Sequence, residues 1–345
     1  MLLKSRLYVT NFMSPSISCW RRHFSLFKPP EKTNNILKKQ LLDRINTFGP
    51  LTVAEYMKEC LCNPVYGYYN THSVFGKRGD FTTSPEICQI FGELIGVWLL
   101  QEWKRQNCPQ HIQLVELGPG RGTLSADILR KHDGNWNEVL ISSMANTNEL
   151  CFIRSNTRTP ASIAYLPLVP NLSDRNAVEI CPDMMCLTQV LCKRISQTGG
   201  AALLIDYGHE GEKGDTFRGF HAHTVCDPLI DPGNIDLTCD VDFSLLCHTV
   251  KESGERVTLH GPVTQAYFLI NMGLFTRLQI LLSKCKSEKE QNELFSACEM
   301  LITNEQMGGR FKFVAITPEF KEMNNSRLPG FTPLPGTPYA QEKTV

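Results

Sequence analysis

The sequence contains no uninterrupted apolar run of the length that a transmembrane helix needs, about 20 residues, so we predict no transmembrane segment. It also lacks an excess of charge of either sign, with 35 basic and 35 acidic residues among 345. Nucleic-acid backbones are bound chiefly through clustered Lys and Arg, so this composition argues against a nucleic-acid partner. With 42% apolar residues, the chain is long enough to bury one large core or two smaller ones.

The 14 cysteines lack the regular spacing of a disulfide framework. Such frameworks belong to small secreted domains, whereas these cysteines are scattered through a long chain, so we predict free thiols in a reducing compartment. Cys60 and Cys62 form a close pair, but no matching pair of Cys or His completes a zinc site. We therefore predict no metal site.

No acidic residue occurs before Glu31, although this segment has frequent serines and five basic residues: Lys4, Arg6, Arg21, Arg22 and Lys28. This composition is typical of a mitochondrial transit peptide, which we predict over residues 1–30. The apolar stretch at 2–12 is too short for the core of a secretory signal, and a disordered tail is the alternative. Removing five positive charges from a balance of 35 against 35 leaves a net charge of −5.

Two helices are predicted after this leader. Residues 35–48 have apolar side chains at helical spacing. Thr52 and Glu55 have the spacing of a capping box, which opens a second helix that ends near Asn63. This part of the chain is therefore predicted to be helical.

A longer helix is predicted behind the loop at 79–86, with Ser84 as its N-cap and Pro85 in its first helical position. Apolar residues at 87–99 recur on one face, which indicates burial. The helix N-terminus would present backbone N–H groups to an anion such as a carboxylate. A purely structural cap accounts for the same residues.

The most informative segment is QLVELGPGRGTL at 113–124. Residues 112–117 predict a short buried strand that contains Glu116, and Gly118, Gly120 and Gly122 predict a turn that allows close approach of a ligand. A helix is expected from about Gly122, with Leu124 and Ile128 on its apolar face. This strand–turn–helix order is typical of nucleoside-binding α/β domains.

The spacing of these glycines distinguishes two classes of nucleoside site. A dinucleotide fingerprint needs a third glycine where Thr123 stands, which argues against a nicotinamide oxidoreductase. A GxGxG turn after an acidic residue is the form found in S-adenosylmethionine-dependent methyltransferases. A glycine turn with only a structural role is the alternative.

A second apolar strand is predicted at 199–209, central in a parallel sheet. Asp206 and His209 would lie at its carboxyl end, where α/β sheets place their ligands; a turn in which Asp206 only caps nearby backbone is the alternative. Farther along, we predict helices at 262–271, 275–285 and 288–302, a strand at 311–316, and a disordered tail over 319–345 that is rich in proline and glycine from Arg327 onward.

Five motifs in the same order resemble the MidA family of mitochondrial methyltransferases. They are GDFTTSPE, ICQIFGELIGVW, VELGPGRGTL, GGAALLIDYGH and DTFRGF. The resemblance implies an α/β, Rossmann-like methyltransferase domain over 111–318 behind an N-terminal helical region at 31–110. It also implies a mitochondrial matrix enzyme that methylates arginine on a complex I subunit and supports complex I assembly. The implied cofactor is S-adenosyl-L-methionine, in contact with Gly79, Asp80, Thr83, Ser84, Glu86, Glu116, Gly118, Gly120 and Gly122.

The resemblance is interrupted between 131 and 177, a stretch that we predict to be atypical. Family members have further sheet strands there, an acid expected to bind the ribose, and an acidic loop beside the substrate pocket. We therefore predict an incomplete sheet caused by an internal deletion. Glu138 and Glu149 are the acids in this stretch that could replace the ribose ligand, and neither ends a convincing strand.

The missing segment bears on catalysis, because a carboxylate must orient a permanently charged guanidinium for attack. The catalytic residues are not identified by the motifs, and Asp206 and His209 are the candidates. An inactive shortened protein that acts only in binding or assembly is the alternative function. No oligomeric state is predicted.

Overall fold

The computed structural model describes residues 35–72, 84–115, 127–132, 135–145, 147–222, 224–319 and 328–333. At positions 85, 86, 127–132 and 135 it describes the backbone alone. The predicted transit peptide at 1–30 lies outside these ranges. So does most of the predicted tail.

The helices are α1 Ile36–Phe48, α2 Val53–Cys62, α3 Tyr68–Thr71, α4 Ser84–Ile87, α5 Gln89–Arg105, α6 Pro160–Tyr165, α7 Pro182–Thr198, α8 Phe243–Glu252, α9 Gln265–Asn271, α10 Leu274–Leu282, α11 Glu288–Ile302 and α12 Met307–Arg310. The strands are β1 Leu51–Thr52, β2 Asp127–His132, β3 Asn135–Ser143, β4 Leu150–Arg154, β5 Ala177–Ile180, β6 Ala202–His209, β7 Arg218–His221, β8 Thr224–Cys226, β9 Asp236–Thr238, β10 Val241–Asp242, β11 Val257–Thr264 and β12 Phe311–Pro318. Within the ranges given above, every helix is too short or too polar to span a lipid bilayer.

The chain divides into two compact units, each assembled from separated segments. The first unit comprises 1–81, 117–187 and 209–249. The second comprises 82–116, 188–208 and 250–345. Each unit has its own buried apolar cluster.

Both predicted N-terminal helices are confirmed in the first unit. The Asn35 side chain accepts a hydrogen bond from the backbone N–H of Lys38 at the start of α1. The capping box of α2 is complete, because Thr52 Oγ1 accepts from the Glu55 N–H at 3.1 Å and the Glu55 carboxylate accepts from the Thr52 N–H at 3.0 Å. The apolar faces of these helices pack with β3 and with residues around β7 and β9.

The main sheet of the first unit has the order β1-β3-β2-β5, with β4 also paired to β3, and these pairings are antiparallel. A smaller antiparallel sheet has the order β8-β7-β9. Strand β2 corrects the prediction of a helix carrying Ile128. Ile128 pairs with Val139 of β3 and with Glu179 of β5, because the edges of these two strands offer partners for the backbone groups of β2 on both sides.

In the second unit, the predicted long helix is interrupted at Cys88. This residue has extended backbone angles, φ −150° and ψ 130°, so the helix is divided into the short α4 and the long α5. Ser84 is the first residue of α4 rather than the residue before it. The predicted buried face is confirmed on α5, where Ile90, Phe91, Leu94 and Trp98 are all at most 5% exposed.

The predicted strand at 199–209 is confirmed as β6. It was expected to be paired in parallel, but its pairing with β12 is antiparallel. The order in this unit is β6-β12-β11, and both pairings are antiparallel. A continuous apolar run indicates that a strand is covered on both faces, whereas its direction depends on the connections between strands. The strand predicted at 311–316 is confirmed as β12.

The three predicted C-terminal helices are confirmed as α9, α10 and α11, the first two with shifted boundaries and the third with the predicted ones. Helix α9 begins at Gln265 because residues 262–264 still belong to β11. Residues 328–333, which lie within the predicted disordered tail, are described by the structure. Leu328 is 2% exposed, and the Phe331 ring packs edge-on against Phe268 at 5.5 Å.

The predicted strand before the glycine turn is wrong over its described part. Residues 111–115 have no regular secondary structure, and Ile112, Leu114 and Val115 are 71%, 72% and 61% exposed. None of the strand pairings among the described residues includes them. An apolar strand without neighbours can neither pair its backbone nor cover its side chains.

Phe313 is the centre of the second core, since it is fully buried and stacks on Phe268 at 4.2 Å. We expect Phe313→Ala to lower the free energy of unfolding by about 3–5 kcal/mol, because it removes buried contacts and leaves a cavity. Denaturant unfolding of the full chain measures this change. The control is Phe275→Ala on α10, where the ring is 44% exposed; equal losses in both variants would contradict this description of the core.

His260 makes the stability of the second unit depend on pH. Burial, together with the positive charge of Arg105, lowers the pKa of His260 to about 4. In the unfolded chain a histidine titrates near 6.5, so the unfolded state binds more protons between pH 6.5 and 4. Stability is therefore fully present above pH 6.5 and falls toward pH 4, by at most about 1.4 kcal/mol per pH unit from this group. His260→Gln should flatten the dependence in denaturant titrations at several pH values; an unchanged slope would contradict it.

Candidate functional site

The predicted anion-binding helix start is fixed in place through Ser84. Its hydroxyl donates to Gln265 Oε1 at 3.1 Å, and Gln265 Nε2 donates to the carbonyl oxygen of Leu301 at 2.8 Å. Ser84 and Gln265 are both buried. The hydroxyl therefore connects α4 to α9 and α11, and does not serve as the predicted N-cap.

Ser84 is the one predicted cofactor contact whose side chain the structure describes. Glu86 is described through its backbone in α4. The others lie outside the described residues: Gly79, Asp80, Thr83, Glu116, Gly118, Gly120 and Gly122. The Ser84–Gln265–Leu301 chain of hydrogen bonds holds the backbone at the start of α4 in place.

The catalytic candidates Asp206 and His209 both lie on β6 and are 7% and 1% exposed. They are three positions apart, so their side chains point to opposite faces of the strand. Asp206 accepts a hydrogen bond from the Tyr207 N–H at 2.9 Å and lies opposite Lys312 of β12. The strand therefore does not bring the two candidates together.

The hydrogen bond of His209 indicates its tautomer. Nδ1 accepts from the Gly211 N–H at 3.0 Å, so a neutral imidazole has its proton on Nε2. In that state the ring donates at Nε2 and does not accept a proton there. A carboxylate such as Asp206 accepts hydrogen bonds only, which suits it better to orienting a guanidinium.

A buried ion pair supports the chain just after β6, and the sequence reasoning missed it. The Arg175 guanidinium donates to Asp242 Oδ2 and, at 2.6 Å, to Ser244 Oγ. Arg175 also lies against Gly211, where a Cβ would come within 2.4 Å of Nη2 and where φ is +107°. Glycine alone fits this position without strain, so Arg175 sets the path of the backbone beside His209.

Asp242 has a second role as the N-cap of α8. Its Oδ1 accepts from the backbone N–H groups of Ser244 at 3.0 Å and Leu245 at 3.1 Å. An acidic residue just before an apolar helical pattern is a helix-start signal, and this signal could have located Asp242. Nothing in the sequence indicates its partner Arg175, which lies 67 positions away.

Two related contacts lie in the same unit. The Arg218 guanidinium donates to Asp240 Oδ1 at 2.7 Å. Glu179 accepts from both the backbone and the hydroxyl of Thr216, so the DTFRGF motif is held through its polar residues.

The two acids that were considered as replacements for the ribose ligand lie elsewhere in the first unit. Glu149 pairs with Lys38 at 2.8 Å, and Glu138 is buried on β3.

The family comparison defines the class. The model of a family described as "Putative S-adenosyl-L-methionine-dependent methyltransferase" matches residues 94–134 and 129–263. A Burkholderia thailandensis protein crystallised with S-adenosyl-homocysteine shares the fold, with a TM-score of 0.63 at 19% identity over 81% of this chain and 91% of that one. A second crystal structure from that organism gives 0.61 at 19% identity, over 84% and 94%. The chain thus has the α/β fold of S-adenosylmethionine-dependent methyltransferases.

Curated relatives identify the family within this class. "Protein arginine methyltransferase NDUFAF7, mitochondrial" of Xenopus laevis is 36% identical over 388 positions, which cover 86% of this chain and 88% of the relative. The human protein of the same name is 34% identical, with 87% and 88% covered, and the Drosophila melanogaster homolog is 36% identical, with 84% and 86% covered. The chain belongs to this family of protein arginine methyltransferases.

The same comparisons locate the missing segment. The alignment of 388 positions is longer than the chain, and 86% of 345 residues is about 297, so roughly 90 aligned positions have no residue here. The two matched parts of the family model meet at 129–134, and the second includes all of 131–177. The stretch 131–177 thus lies within the second matched part, and the two matched parts meet at its start.

The Arg175–Asp242 pair is expected to be important for the stability of the first unit. We expect Asp242→Asn to destabilise the chain by about 3–5 kcal/mol, because it leaves the buried guanidinium without its counter-charge. The measurement is the free energy of unfolding from denaturant titration. The matched control Glu149→Gln breaks a half-exposed pair with Lys38 and should cost less than about 1 kcal/mol. Comparable costs for the two variants would refute the structural role of the buried pair.

Proposed function

We propose that this protein transfers a methyl group from S-adenosylmethionine to an arginine of a complex I subunit in the mitochondrial matrix, and thereby supports complex I assembly. The observation that carries the proposal is the relationship to arginine methyltransferases named as mitochondrial, which extends over most of both chains. The composition of residues 1–30 supports a transit peptide. We take 31–110 as the helical region, 111–318 as the methyltransferase region and 319–345 as the tail.

The cofactor contacts follow from the family motifs and remain part of the proposal. Gly118, Gly120 and Gly122 would let the backbone pass close beneath the cofactor, and Glu116 would lie beside it. The loop with Gly79, Asp80, Thr83, Ser84 and Glu86 would contact it as well, and Ser84 would act by anchoring the start of α4. S-adenosylmethionine, when bound, supplies an electrophilic methyl group on a sulfonium centre.

The chain must hold its substrate arginine in one orientation, because a guanidinium is charged at all ordinary pH values and its planar nitrogens are poor nucleophiles. A carboxylate orients it through paired hydrogen bonds. Of the two candidates, Asp206 has the appropriate chemistry. With a proton on Nε2, His209 would serve to donate a hydrogen bond rather than to act as a general base.

A second function is favoured by one specific observation. The apolar side chains of Ile112, Leu114 and Val115 are largely exposed, immediately before the glycine motif, and roughly 90 positions of the relatives are absent. A cofactor site needs a rigid wall at this point. An inactive form that binds the cofactor or a partner, and transfers nothing, is the alternative.

Calorimetric titration of S-adenosylmethionine into the full chain separates these functions when it is combined with labelled methyl transfer to complex I subunits. We expect binding, and we expect Glu116→Ala to weaken it at least tenfold, about 1.4 kcal/mol. The matched control is Glu293→Ala on the exposed face of α11, which should bind like the parent chain. Binding without methyl incorporation would support the inactive form, and the absence of both would overturn the proposed activity of this chain.

A further inference from the structure

Residues 328–331, with the sequence Leu-Pro-Gly-Phe, fold into a tight turn in the second unit. The Phe331 N–H donates to the carbonyl oxygen of Leu328 at 3.1 Å. Pro329 and Gly330 occupy the two central positions, and φ is +80° at Gly330. Proline followed by a glycine with positive φ is the arrangement of a type II turn. We call these four residues the C-terminal turn.

The C-terminal turn closes over Phe268 of α9. The Phe331 ring lies edge-on to the Phe268 ring, with the centroids 5.5 Å apart, and Leu328 is buried in the same apolar cluster. Gly330 leaves no room for a side chain, because a Cβ there would overlap the Phe268 ring. A Cβ at Gly261 of β11 would likewise lie 3.1 Å from Phe331 Cε1. The turn is therefore closely fitted to α9 and β11.

Helix α9 connects this turn to the segment that carries Ser84. Gln265 lies about one helical turn before Phe268, accepts from the Ser84 hydroxyl at 3.1 Å and donates to the Leu301 carbonyl at 2.8 Å. With seven residues, α9 is too short to be stable alone, so its position depends on packing. A shift of α9 moves the acceptor of the Ser84 hydroxyl, and such a hydrogen bond is lost beyond about 3.5 Å.

We propose that the C-terminal turn positions α4 through α9 and thereby sets the affinity of the chain for S-adenosylmethionine. The effect on affinity rests on the proposed function, in which Ser84 and Glu86 of α4 contact the cofactor. Leu328 and Phe331 are positioning residues in this proposal, because they act through α9 rather than on the cofactor itself.

The turn acts by restricting α9 to one position. Without it, water reaches the outer side of the Phe268 ring, and burial of that ring no longer favours the position in which Gln265 meets Ser84. Only the molecules with α4 in place bind the cofactor, so the apparent dissociation constant rises as their fraction falls. Saturating cofactor restores the competent position by population shift, so turnover at saturation is preserved.

Gly330→Ala displaces the turn without removing a core side chain. The added Cβ would overlap the Phe268 ring, and alanine is strained at positive φ. The matched control is Gly254→Ala, also in the second unit, where φ is +67° and nothing lies within 4 Å of the added Cβ. Comparison of the two variants separates displacement of the turn from the strain of alanine alone.

Hydrogen exchange measured by mass spectrometry on the full chain tests the positioning and needs no cofactor. In Gly330→Ala, peptides that cover 84–91 and 265–271 should exchange about fivefold faster or more than in the parent chain. Helices α1 and α2 of the first unit should keep parental rates, and so should all these peptides in Gly254→Ala. Parental exchange of 84–91 in Gly330→Ala would overturn the proposal.

Calorimetric titration with S-adenosylmethionine tests the effect on affinity. Gly330→Ala and Phe331→Ala should weaken binding about fivefold or more. Gly254→Ala should bind as the parent chain does, and so should Phe331→Tyr, which keeps a ring against Phe268. In methyl-transfer assays the loss should appear in the KM for the cofactor, with kcat changed by less than about twofold.

The outcomes separate this inference from the proposed function. Equal cofactor affinity of the parent chain and Gly330→Ala would refute the role of the turn in binding and leave the proposed function intact. A parent chain that binds no cofactor would overturn the proposed function and the affinity effect with it. The exchange measurement decides independently whether the turn positions α4.

Discussion

A strand inside a sheet needs a neighbour along each edge, because its backbone N–H and C=O groups must be paired and its apolar side chains covered. Residues 112–115 have the composition of such a strand but lie exposed and without regular structure. Roughly 90 positions of the relatives have no counterpart in this chain. The irregular, exposed conformation of residues 112–115 follows from this need for neighbouring strands.

The same constraint acts with the opposite result on residues 127–132, farther along the chain. Residues 127–132 come shortly after the glycine motif and were predicted to belong to a helix, yet they lie between β3 and β5, where both of their edges are paired. Pairing with two existing strands stabilises them more than isolated helix formation does, since a helix of one or two turns is marginal on its own. Each unit thus retains a core even though its segments are separated in sequence.

Local signals predicted the helices well. Asn35, Thr52 and Glu55 start their helices through hydrogen bonds that involve residues three positions away, and the apolar face of α5 follows the helical period. The interruption at Cys88 was not predictable, because it depends on α11 and α9 holding α4 through Gln265. In the candidate site, Asp206 and His209 were placed on a buried strand as predicted, whereas the support of that region by Arg175 and Asp242 was not foreseen.

The sequence alone determined the class of the protein, its family and the helices α1, α2, α5, α9, α10 and α11, because motifs, caps and apolar periodicity are local and survive a change elsewhere in the chain. Only the tertiary structure decided the direction of β6 relative to β12 and the pairing of residues 127–132 as a strand. The tertiary structure also decided that Arg175 pairs with Asp242 and that Arg218 pairs with Asp240. These features depend on partners far apart in sequence, and pairing over such distances is selected by the free energy of the whole fold.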